Sequence, residues 1–183
     1  ASTLEGWRHL QNQRTPCIRF LYFQWHPKVV ILVSDWSQTA TGVYDMRKGN
    51  FGTFIHPKGH PLTENCSTRG EMFGSAVAIW TFAKQDDIIV LHGDNNGAIW
   101  AIRKYRSKPA YAPYALLIAR RVRELNLTII PTWVNTDDII ADPLSRTHKP
   151  GWKADFQSRI NRTAGATIGR RVATAARRIL EMA

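Results

Sequence analysis

Apolar residues fall into two patterns that alternate along this chain: short unbroken runs, and positions spaced three and four apart. Val29 to Val33 is an unbroken β-branched and aliphatic run between Pro27 and Asp35, which predicts a strand buried on both faces. Beyond the polar stretch Ser37 to Thr41, Gly42 to Tyr44 and Phe51 to Ile55 carry strand residues on either side of the turn-like Arg47-Lys48-Gly49-Asn50, predicting a hairpin that continues the first strand. From Thr68 to Lys84, the residues Met72, Ala76, Val77, Ile79, Trp80 and Ala83 recur at the helical period. Ile88 to Leu91 is a second buried run, bounded by Asp86-Asp87 and His92-Gly93-Asp94. Asn95 or Asn96 is placed to cap a helix through Trp100 and Ile102 that stops before Pro109, and a further helix is expected from about Tyr114 to Leu125. Leu127 to Val134 supplies a last strand. Asp137 or Asp138 is placed to cap a short helix over Ile139 to Ser145, and Pro150-Gly151 marks a break before a basic tail.

The order β, β, β, α, β, α, α, β, α predicts an α/β fold in which helices cover a mixed sheet, antiparallel at its front and parallel behind. Ligands bind such sheets at the carboxyl ends of the parallel strands, and two of those ends are acidic here. With 183 residues, 44% hydrophobic and 21% charged, the chain sustains one main globular core, which excludes a disordered or fibrous protein. Cys17 and Cys66 are too few for a disulfide framework and lack zinc-site spacing, so a reducing, intracellular compartment is expected. No apolar run approaches the roughly 20 residues of a membrane span, and the N-terminus lacks the layout of a signal peptide. The first residue is Ala1, which suggests a processed product or a piece of a longer polypeptide.

Charge narrows the partners. Lys and Arg exceed Asp and Glu by 25 − 14 = 11, and a pI near 10.2 points to polyanions. Residues 147–183 hold eight basic and two acidic side chains, a net +6, and the rest of the chain holds the other +5.

Against that surplus the acidic residues beside apolar runs stand out: Asp35 ends the first strand, Glu71 opens the first helix, Asp94 follows the fourth strand and Asp142 lies in the last helix. A carboxylate so placed is costly unless paired, hydrogen-bonded or bound to a hard cation such as Mg²⁺. Four that converged would suit two-metal phosphoryl chemistry. Each also has a plainer reading: a strand-end turn former for Asp35, helix caps for Asp94 and Asp142, a solvated first-turn residue for Glu71.

The segments V-S-D-W-S (33–37), R-G-E-M-F-G-S-A (69–76), H-G-D-N-N (92–96) and I-A-D-P-L-S-R (140–146) occur in order. Together they resemble the ribonuclease H domain of retroelement reverse transcriptases, and Arg103-Lys104-Tyr105 with the approach Trp133-Val134-Asn135 looks most like the hepadnavirus and DIRS-like branches. The resemblance covers about residues 25–146. It implies a ribonuclease H-like fold with a five-stranded mixed sheet flanked by helices. It also implies that Asp35, Glu71, Asp94 and Asp142 are catalytic, holding two Mg²⁺ or Mn²⁺ ions that serve hydrolysis of the RNA strand of an RNA–DNA hybrid. Residues 1–24 are then a connector, Leu4 to Leu10 being similar to the one that joins a polymerase thumb to this domain, and the polymerase part of the same polyprotein is an expected partner. Many cellular members carry a histidine on a mobile loop before the final aspartate; this chain has Trp133, Thr136 and Asp137 there, which implies slow turnover. His92, near Asp94, reads as structural.

Arg103, Lys104, Arg106 and Lys108, interleaved with Tyr105 and Tyr111, suit phosphate pairing with base or sugar stacking, and related enzymes carry a basic handle here; a solvated helix face is the alternative. Ser37, Gln38, Asn95 and Asn96 are candidates for 2′-hydroxyl contacts. In the extension 147–183, Arg170, Arg171, Arg177 and Arg178 share one helical face and Ile168, Val172, Ala175, Ile179 and Met182 another. Such a helix would dock on the domain, on another part of the polyprotein, on nucleic acid or on an anionic membrane surface. Two rivals stand beside the nuclease. One is a weak or inactive module of the same fold that binds nucleic acid or acts as a scaffold. The other is a DNA-directed integrase or resolvase, which the four-carboxylate pattern and the ending disfavour.

Overall fold

The computed structural model describes residues 28–63, 66–104, 107–160 and 169–182, and it is an α/β protein built on one mixed sheet. Strands β1 (Val29–Trp36), β2 (Ala40–Asp45) and β3 (Asn50–Ile55) form an antiparallel meander; β4 (Ile88–Gly93) and β5 (Thr128–Trp133) add parallel to β1, giving the order β3-β2-β1-β4-β5. This architecture is consistent with a ribonuclease H-like fold. The carboxyl ends of β1, β4 and β5 share one edge.

The helices are α1 (Ser67–Phe82), α2 (Asn96–Lys104), α3 (Ala112–Glu124), the four-residue α4 (Asp142–Ser145), α5 (Trp152–Arg159) and α6 (Gly169–Met182). Helix α1 is buried from Gly70 to Ile79, because the sheet covers one side and α3 and α6 cover the other. Side chains alternate along β1: Val30 and Leu32 enter the larger core with Phe73, Ile79 and Leu91, while Val33 enters a second core with Tyr44, Leu144 and Phe156. Two covered faces explain why the Val29 to Val33 run has no polar alternation.

Two local expectations change. The short helix predicted over Ile139 to Ser145 is confined to α4, and neither Asp137 nor Asp138 caps it. A 3-10 turn spans Thr136–Asp138 instead, Asn135 accepts at its start from the Asp137 N–H, and extended backbone at Ile139 separates the turn from α4. Pro143, which lacks an N–H, fits only in a first helical turn and so fixes α4 as a late, separate start.

The chain after Pro150-Gly151 returns to the sheet. Phe156 of α5 is buried, its ring edge-on to Tyr44 and Phe51 with centroids 5.8 and 4.8 Å away. Ala176 and Ile179 of α6 are buried in the larger core, Arg177 and Arg178 are exposed, and the Arg178 guanidinium lies 5.2 Å from the Trp80 ring centroid. The apolar face of α6 therefore docks on the domain itself. Ile168 and the side chains of Arg170, Arg171 and Val172 lie outside the described residues, as do Cys17 and residues 1–24. No helix among the described residues is long and apolar enough to cross a membrane.

Candidate metal centre

Asp35 is the penultimate residue of β1, Glu71 lies in the first turns of α1, and Asp94 follows β4 directly. One carboxylate oxygen from each lies within 4.8 Å of the other two. The parallel register pairs Val33 with His92, and its continuation sets Asp35 beside Asp94. Glu71 is brought in by a close helix–strand approach: a Cβ on Gly70 would sit 2.2 Å from the Trp36 ring, so only glycine lets α1 start against the end of β1. The Trp36 backbone N–H then donates to Glu71 Oε1 at 3.2 Å.

Asp35 and Glu71 are 3% and 6% exposed, too buried for water to carry their charges. Burial pushes the Asp35 carboxyl up to about 7; the Ser145 hydroxyl, donating to Oδ2, pulls it down, and the charges of Asp142 and Asp94 push it up again. Glu71 is raised well above the usual carboxylate range, by burial first and by the charges of Asp35 and Asp94 next. A bound divalent cation reverses both effects, and an all-carboxylate donor set suits a hard ion such as Mg²⁺ or Mn²⁺. These three residues could therefore hold a metal ion. The buried acids at the opposite edge differ, because Arg47 Nη1 lies 3.0 and 3.1 Å from the two oxygens of Asp87 and neutralises that end internally.

Asp142, the first residue of α4, is beside the trio without joining it. Its charge is felt at Asp35 and Glu71, yet Oδ1 lies 2.7 Å from Arg146 Nη2 and Oδ2 lies 3.6 Å from Arg159 Nη2. Helix α4 reaches this place because β2 has Gly42, where a Cβ would come within 2.5 Å of Leu144 Cβ and 2.7 Å of the Ala141 carbonyl oxygen.

The stretch that lacks a histidine holds Asp94. Thr136 Oγ1 donates to Asp94 Oδ2 at 2.7 Å, and the Trp133 indole N–H donates to the Asp94 carbonyl at 2.9 Å. His92, shielded within β4 between β1 and β5, has its pKa lowered by burial.

The expected substrate-contact residues divide. Asn95 caps α2, accepting from the Ala98 N–H at 3.0 Å, and its amide donates to Ser67 Oγ at 3.1 Å. The Ser37 hydroxyl is used internally, 2.7 Å from the Ser145 carbonyl, whereas Gln38 and Asn96 are exposed. Arg103 donates to the Pro131 carbonyl at 3.2 Å, and Lys104 Nζ lies 4.6 Å from the centroid of the exposed Trp100 ring. Lys108 is exposed; Tyr105 and Arg106 lie outside the described residues. The sequence pattern assigns no role at the site to Thr136, Ser145, Arg146 or Arg159. Ser145 and Arg146 sit inside the I-A-D-P-L-S-R segment that drew attention to Asp142, whereas nothing local marks Thr136 or Arg159.

No family model matches the chain, and no curated protein matches it.

Proposed function

We propose that this chain is a metal-dependent endonuclease that hydrolyses the RNA strand of an RNA–DNA hybrid, as the ribonuclease H domain of a retroelement reverse transcriptase. The observation that carries the reading is the meeting of Asp35, Glu71 and Asp94 at the carboxyl edge of the parallel strands, two of them buried. Mg²⁺ or Mn²⁺ held there would activate water and stabilise the leaving oxygen of a phosphodiester. Asp35 and Glu71 supply fixed buried charge for the ion, Ser145 and the Trp36 N–H orient them, and Thr136 orients Asp94. The net charge of +11 and the basic groups near Trp100 favour a polyanionic substrate.

A second reading, a catalytically weak module of the same fold that binds nucleic acid, is favoured by one observation: Asp142 is already neutralised by two arginines. Cleavage of a labelled RNA–DNA hybrid by the full chain, with Mg²⁺ or Mn²⁺ and with chelator, separates the two. Ion-dependent cutting of the RNA strand supports the nuclease, and binding without cutting supports the module.

A further inference from the structure

A carboxylate beside a cation-demanding cluster is unexpected in the arms of two arginines, and those arginines differ. Arg159 is fixed by its surroundings, donating to the Ile139 carbonyl at 2.8 Å, to the Thr136 carbonyl at 3.2 Å and to Asp155 Oδ1 at 3.0 Å; its approach to Asp142 is the looser one. Arg146 makes the closer approach but is poorly fixed. Its side chain is 39% exposed, its buried Nε–H has no acceptor among the described residues, and its contact with Asp142 Oδ1 is a charge contact not aligned as a hydrogen bond. Arg146 lines a surface depression of about 260 Å³ together with Lys149, Trp152 and Asp155. Arginine binds phosphate through paired N–H donors, and a partly exposed arginine beside a lysine and an open depression is placed to take one.

We propose that Arg146 is a phosphate-responsive latch on Asp142. In the free protein it is the internal counter-ion that keeps Asp142 out of the Asp35, Glu71 and Asp94 cluster. When a backbone phosphate of the bound nucleic acid engages Arg146, Asp142 is released to serve as an additional ion ligand. This rests on the nuclease reading and adds an order of events: the free chain holds one divalent ion on the trio, and a further ion binds only with substrate. Asp142 is then a switched ligand and Arg146 a positioning residue that acts through it.

The test is Mn²⁺ stoichiometry of the full chain, read from the spin-resonance signal of unbound Mn²⁺, alone and with an RNA–DNA hybrid whose RNA strand carries 2′-O-methyl riboses to block cutting. Wild type should take up one ion alone and two with the hybrid. Arg146→Gln should take up two ions without hybrid, the second at least about tenfold tighter than in wild type, a gain of about 1.4 kcal/mol. Arg146→Lys, which keeps the charge, should behave as wild type, and thermal melts check that both variants fold. Two ions on free wild type, or one on free Arg146→Gln, overturns the latch while leaving the metal centre intact. A wild-type chain that takes up no ion overturns the metal-centre reading and the latch together.

Discussion

The Ser145 hydroxyl donates to Asp35 Oδ2 between residues 110 positions apart, tying the last turn of α4 to the end of β1. The bond is buried and its acceptor is a carboxylate whose charge burial disfavours. Hydrogen bonds to charged groups contribute about 1.5–3 kcal/mol, so Ser145→Ala should lower the unfolding free energy by an amount of that order in urea titrations near pH 8. It should also weaken Mn²⁺ binding at neutral pH, since Asp35 loses a hydrogen bond that favours its charged form. Unchanged stability and unchanged Mn²⁺ affinity together would remove Ser145 from the site.

Proton and metal compete for the same oxygens. The Asp35 carboxyl has an ordinary value of 3.8 and stands at about 7 in the folded chain, and Glu71 shifts in the same direction. The folded state therefore holds protons that the unfolded chain has released. That contribution to stability is fully present below about 3.8 and is lost as pH rises through about 7, so these two groups make the ion-free protein less stable with rising pH across that window. Mn²⁺ supplies the missing positive charge, and the melting-temperature gain on adding it should widen between about pH 5 and about pH 7.5. Asp35→Asn should flatten much of this dependence. A gain independent of pH would mean that the ion binds elsewhere.

Catalysis and binding should separate at Asp94. Asn keeps an oxygen to accept from Thr136 while removing the charge, so Asp94→Asn should fold normally. Loss of a group that only orients a metal ligand costs roughly 10- to 100-fold, and loss of a ligand itself should reduce hybrid cleavage by more than about a hundredfold. Hybrid affinity in chelator should hold or improve, because a negative charge near phosphate is gone. Cleavage at the wild-type rate would sink the assignment.

The strands, α1 and three of the four candidate carboxylates were readable because each depends on local pattern: Val29 to Val33 is apolar throughout because both faces of β1 are covered, and Asp35 and Asp94 stand where such runs stop. Partners that come from distant chain segments were not readable. Arg159 reaches Asp142 only because α5 folds back through Phe156, and helix α5 has little amphipathic pattern to announce it. Thr136 acts from a turn where the sequence predicts the cap of a helix. The state of Asp142 is likewise a tertiary fact, since its spacing to Arg146 is that of any exposed helical ion pair.

Gly42 offers a test of how the second core positions the site. A methyl group there would meet Leu144 Cβ and the backbone at Ala141 and Ser145, none of which is the far end of a flexible side chain. Gly42→Ala should therefore lift α4 from β2, costing about 1–3 kcal/mol of stability by overpacking. Because α4 carries Ser145, Mn²⁺ affinity should fall with it. Stability lost without any change in Mn²⁺ binding would show that the trio does not depend on α4.

The basic handle predicts a salt effect. Arg103, Lys104 and Arg106 replaced together by alanine should weaken hybrid binding and make its salt dependence shallower, by up to roughly 0.9 in the log–log slope per lost phosphate contact for B-form DNA. The full reduction for three contacts is not expected, because Arg103 spends one donor on the Pro131 carbonyl. Lys104 is exposed beside the Trp100 ring, a contact that leaves its ammonium charge in place. Lys104→Ala alone should thus account for more of the change in slope than Arg103→Ala alone. The comparison needs affinities over a salt series for each variant, with melts to confirm folding, since loss of the Arg103 tie to β5 also removes a structural bond. An unchanged slope in the triple variant would move the phosphate contacts to the exposed arginines of α6 or to the depression beside Arg146, and would leave this end of α2 an ordinary solvated surface.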